Sequence, residues 1–171
     1  MIRAALLDVR ASAAVEMALV IPMLLILMMG AFELGNYFLS EHILLKGVRD
    51  GAVYAARQDI GANYDCTAGT PTVPAQVVSD TEQLVRTGQL TGGNDRLPNW
   101  ASGTTAFTMT VDCLTAAGGT TLGGIYTSNS GKVPVLTVTA QVPYRSLLGS
   151  LGFPTADLKL NATEQTVATG I

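Results

Sequence analysis

The chain has 171 residues, 48% of them hydrophobic and 13% charged, which suits one modest folded domain plus an apolar anchor and excludes a disordered polar tail. A formal charge of −3 leaves no basic surplus to neutralise phosphates, so nucleic acid is excluded as a partner.

The first element in chain order is apolar. Positions 17–32 carry no charged side chain, a run of 16 residues bounded by Glu16 and Glu33. At the helical rise this covers roughly 24 Å, and the apolar positions on either side lengthen it into a transmembrane segment over about 13–38. Arg3 and Arg10 precede the run, which favours a cytoplasmic amino terminus and an exported body. A cleaved secretory signal is the competing reading, but the triplet Met29-Gly30-Ala31 places a bulky residue where a cleavage site wants a small one. Helical pattern also continues past Glu33 into Tyr54.

From about Ala11 to Arg57 only Pro22 interrupts a helix of roughly 70 Å. Glu16 and Glu33 lie about 25 Å apart along it, close to a hydrocarbon thickness, which places one acid at each interface. Gly47, Gly51 and Ala55 recur at spacing four and line one face, where another backbone can approach closely. Their partner is either the protein's own sheet or a neighbouring subunit. Lys46, Arg49 and Asp50 read as solvated helix charges. His42, the only histidine, has Ser40 and Glu41 beside it in sequence, but adjacent helical residues point apart. No metal-ligand spacing, no cofactor motif and no catalytic constellation is present, so the chain reads as a non-enzyme.

Beyond Arg57, Gln76 to Gly88 reads as a short helix with Val77, Val78, Leu84 and Val85 on one face and Gly88 as its stop. Ser79-Asp80-Thr81-Glu82 supplies its polar side. Three stretches then alternate with period two: Ala106–Cys113, Val135–Tyr144 and Asp157–Val167. They make an antiparallel sheet packed on the outer half of the long helix, an α+β fold. The Gly-rich connection between the first two strands is a long surface loop or hairpin; it lacks the Gly-Lys-Ser/Thr of a phosphate cradle. Tyr144 to Pro154 carries the apolar cluster Leu147, Leu148, Leu151 and Phe153, either a partner surface or a turn folded onto the core. Cys66 and Cys113, in an exported domain, most simply form one disulfide.

Two segments carry a family resemblance. Ser12-Ala13-Ala14-Val15-Glu16-Met17-Ala18-Leu19-Val20, followed by Pro22, a Leu/Met run, Gly30, Glu33, Leu34 and Gly35, resembles the amino-terminal signature of TadE-like proteins, minor pilins or pseudopilins of tight-adherence (type IVc) pili. Downstream, Val48 to Ala56 is similar to that family's Val-Arg-Glu-Gly-Ala-Arg-Tyr-Ala-Ala segment. The resemblance covers about the first third of the chain. It implies a pilin-like α+β fold with the first half of the long helix in the membrane, residues 1–11 as a leader, 12–57 as the helix and 58–171 as a periplasmic or extracellular domain. It implies cleavage by a prepilin peptidase between Ala11 and Ser12, although Ala11 stands where Gly is usual. It further implies that Glu16 pairs with the new amine of Ser12 on a neighbouring subunit, an ion pair used for register rather than net stability. The partners so implied are other pilin subunits, the pilus assembly machinery, the peptidase and inner-membrane lipid, with a place in the bacterial inner membrane and then in a pilus. A permanently anchored envelope binding module is the alternative, distinguished by retention of the leader.

Overall fold

The computed structural model describes residues 9–67, 71–100, 105–152 and 158–170. Its first element, α1 (Val9–Ala56), is one helix of 48 residues, about 72 Å long at the standard rise, and Pro22 lies inside without ending it. Three residues of the expected leader, 9–11, already lie in the helix, so the Ala11–Ser12 peptide bond is helical.

The outer half of α1 is the centre of the folded domain. Leu44, Val48, Ala52 and Ala55 are buried at helical spacing. One side of that half meets a three-stranded antiparallel sheet of β1 (Ala106–Leu114), β2 (Val133–Pro143) and β3 (Lys159–Val167), with β2 in the middle. Register pairs Val111 with Leu136 and Ala140 with Ala162. The alternation read from the sequence sets the faces: Leu136, Val138, Ala140 and Val142 are buried, and Leu160 and Ala162 continue that face on β3. On the outer face hydroxyls and amides pair across strands, as Thr139 does with Thr163 and Gln165 with Thr137. Asp157, the expected start of β3, lies outside the described residues.

The other side of α1 meets a short helix. Ile60–Asn63 forms a single turn, α2, and Ala75–Thr87 forms α3, ended by Gly88 in the left-handed conformation at φ 81°. The buried spine of α3 is Val77, Thr81 and Val85. Thr81 was expected on the polar side; it is fully buried because its hydroxyl is satisfied by the Val77 carbonyl at 2.6 Å and its methyl sits against Gly51. Asp50 on α1 pairs with Arg96 at 3.3 Å, and Arg49 with Glu164 of β3 at 3.6 Å; both helix charges stay solvated, with the Arg49 side chain 62% and the Asp50 side chain 40% exposed, so the pairs add little.

The end of the domain remote from the apolar half of α1 is closed by several independent ties. Cys66 and Cys113 are bonded, with Cα atoms 5.8 Å apart, across a separation of 47 residues. Restricting a loop of that length contributes about 4 kcal/mol in the chain-entropy account. Tyr64 buries its ring and donates its hydroxyl to the Ala55 carbonyl at 2.7 Å. The backbone of Thr169 and Gly170 donates two hydrogen bonds to the Ala56 carbonyl, at 2.7 and 3.0 Å, which satisfies the open end of α1. The Gly-rich connection, expected as a surface loop or hairpin, is largely exposed but pinned from inside: buried Asn129 donates to the Tyr64 carbonyl at 2.8 Å and accepts from the Cys66 amide at 3.4 Å.

Candidate functional site

The first half of α1 is exposed around its whole circumference: every described side chain from position 12 to 28 faces outward, with Leu19 72% and Ile26 71% exposed. A helix apolar on all sides with nothing of its own chain against it has one stable environment, a low-dielectric surround supplied from outside. The helix is long and apolar enough to cross a membrane once, and none of its most apolar window is buried. Ser12 and Glu16 stand one turn apart on the same face, both exposed.

Where the apolar half gives way to the folded half, a polar knot joins α1 to the segment after β2. Glu33 Oε2 accepts the backbone amides of Leu147 and Leu148, at 3.0 and 3.1 Å. Tyr144 donates its hydroxyl to the Glu33 carbonyl at 3.2 Å, and Asn36 Nδ2 donates to the Tyr144 hydroxyl at 2.7 Å and to the Arg145 carbonyl at 3.4 Å. The rings of Tyr37 and Tyr144 meet edge to face at 5.2 Å. Burial, reinforced by the Glu33 carboxylate, raises the Tyr144 phenol above its ordinary value. Glu33 is therefore more than an interfacial acid reaching for water; it holds the β2–β3 connection. The sequence carried a signal for this in Glu33 and Asn36, two polar residues one turn apart closing an apolar run, but their partner lies more than a hundred residues away.

The remaining expected site residues fall as follows. Gly47 and Gly51 face α3 rather than the sheet: a Cβ on Gly47 would lie 2.7 Å from the Val85 carbonyl oxygen, and one on Gly51 2.5 Å from Val85 Cγ2. Ala55 is fully buried in the core that holds Tyr64 and Leu136. Leu147 is 52% exposed and Leu148 half-buried, at the start of a short 3-10 turn, Leu148–Leu151; the Leu151 side chain and Phe153 lie outside the described residues. His42 is exposed, and among the described residues no three His, Cys, Asp or Glu side chains gather as a metal site.

A long, exposed apolar amino-terminal helix whose outer half packs on a small antiparallel sheet is the architecture of a pilin-like α+β protein. Residues 11–53, all of them within α1, match the family model for TadE-like protein, so over that stretch the chain is similar to the TadE-like family. No curated protein and no solved structure matches the chain.

Proposed function

We propose that the chain is a minor pilin-like subunit for assembly of a bacterial tight-adherence (type IVc) adhesion pilus. The observation that carries this reading is the TadE-like match over residues 11–53, which includes the stretch 12–28 of α1 that the folded domain leaves uncovered. Prepilin peptidase cuts between Ala11 and Ser12, removing residues 1–11 and freeing an amine at Ser12. The mature helix, residues 12–57, waits in the inner membrane with its amino terminus cytoplasmic and residues 58–171 in the periplasm. Two features support that orientation: Arg3 and Arg10 before the apolar run, and a disulfide that calls for an oxidising compartment after it.

In assembly the helix exchanges lipid for neighbouring pilin helices. An unpaired carboxylate at the bilayer centre costs roughly 2.5–3.5 kcal/mol on insertion scales, less near the interface, so a counter-charge on the adjoining subunit rewards one axial register over others. Glu16 and the Ser12 amine of a neighbour supply that pair. Prepilin peptidase, other pilins, the assembly machinery and inner-membrane lipid are the partners.

A permanently anchored envelope binding module is the second reading, favoured by Ala11 at the position where Gly is usual and by a helix that runs through the junction. Amino-terminal sequencing of the chain from membrane and sheared-surface fractions separates the two. A mature start at Ser12 supports the pilin; a chain retaining Arg10 and Ala11 in cells with active peptidase contradicts it.

A further inference from the structure

The β2–β3 connection reaches back along α1 to a level that a crossing helix places inside the membrane. On a crossing centred within residues 13–38, about 30 Å of hydrocarbon spans about 20 residues and ends near residue 35. Leu147 and Leu148 are bonded to Glu33, below that level, and share a shallow apolar groove with Met29 and Phe32. Exposed Leu147 thereby continues the apolar surface of Phe32 and Leu34.

A segment of irregular backbone can sit at that depth only if its polar groups find partners within the protein. Several groups of this one are so provided. The Leu147 and Leu148 amides go to Glu33, the Gly149 amide to Ser146 Oγ at 2.9 Å, the Gly152 amide to the Gly149 carbonyl at 3.2 Å, and the Arg145 carbonyl accepts from Asn36. Water would have satisfied the same groups at no structural cost. Just before the apolar pair, Arg145 is exposed, and its backbone is held at the level of Asn36, so a long cationic side chain is available where headgroups would begin.

We infer that the turn around Leu147 and Leu148 is a second membrane contact, seated at the boundary between headgroups and acyl chains of the outer leaflet, with Arg145 toward lipid phosphate. The contact fixes the height and tilt of the folded domain over the bilayer, which a single crossing helix leaves free. It rests on α1 crossing the membrane.

The test uses the full chain in vesicles of phosphatidylethanolamine and phosphatidylglycerol, with an environment-sensitive fluorophore on one added cysteine. Label sites are Leu147→Cys, Gly149→Cys as a second position on the same turn, Leu24→Cys in the middle of the apolar helix, and Ser128→Cys in the exposed remote loop. Labels at 147 and 149 are expected to be quenched several-fold more by lipids carrying a nitroxide near the glycerol than the label at 128, and to be protected from aqueous iodide. Iodide quenching at 147 and 149 equal to that at 128, with the label at 24 quenched by nitroxide deep in the chains, overturns this inference and leaves the crossing helix intact. A label at 24 that no lipid nitroxide quenches overturns the crossing and the inference together. Protection at 147 from both quenchers that disappears on dilution of protein in lipid assigns the surface to a second copy and overturns the lipid contact.

Discussion

Glu16 and Glu33 are the same side chain in the same apolar helix, yet their surroundings assign them different work. Glu33 accepts two backbone amides from the β2–β3 connection, whereas Glu16 is exposed on a stretch of helix that the chain itself leaves bare. Hydrogen bonds to a charged acceptor contribute about 1.5–3 kcal/mol, so Glu33→Gln is expected to release the connection rather than unfold the domain. Limited proteolysis of the full chain in detergent should show faster cleavage near Arg145 in that variant and an unchanged disulfide-bonded core. Tyr64 makes a second residue-level prediction. Burial first, and the nearby Tyr54 second, push its phenol well above the ordinary value of 10.0. The folded state thus favours the neutral form; the resulting stability is present below pH 10 and falls as pH rises above it. Tyr54, raised by burial and by Asp80, acts in the same direction. Tyr64→Phe should lower stability by about 1 kcal/mol at neutral pH, through loss of the bond to Ala55, and yet reduce the further loss above about pH 10. Denaturant melts in detergent across that range check both signs.

At the scale of elements, α1 and α3 approach each other closely at Gly47 and Gly51. Ala is the better helix former by about 1 kcal/mol, so Gly47→Ala would stabilise an isolated helix. Here the added methyl meets a main-chain carbonyl of α3 that cannot rotate away, and a net loss of about 1–3 kcal/mol is expected by thermal melting. The same pair of elements shows what sequence pattern can and cannot reveal. Period-two alternation located all three strands because each buries one side only, and Gly88 marked the end of α3 because only a left-handed residue closes it. Thr81 was misplaced because a threonine whose hydroxyl bonds within its own helix buries like a valine, and no local pattern announces that. Asn129 and the knot of Glu33, Asn36 and Tyr144 escaped for a different reason: each polar group is satisfied across 63 to 115 residues of chain, a distance at which sequence carries no spacing rule. The apolar half of α1 was fully legible, since a run without charges depends on composition alone.

At the scale of the molecule, the chain divides its stability from its function. The folded domain has its own core, a disulfide and a capped helix end, none of which involves the exposed half of α1. The domain's own contacts therefore do not depend on what surrounds residues 12–28, as the proposed passage from membrane to filament requires. The register of that passage is proposed to rest on the carboxylate at position 16, and replacing it with a neutral isostere removes the charge without altering length or helix propensity. The decisive measurement is therefore the count of surface filaments, with the amount of this chain in membrane and sheared fractions, in cells expressing Glu16→Gln at native level. Filament number is expected to fall sharply while the membrane fraction holds normal amounts of processed, disulfide-bonded chain. Undiminished filaments bearing the variant would contradict the role assigned to Glu16 and, with it, this account of assembly.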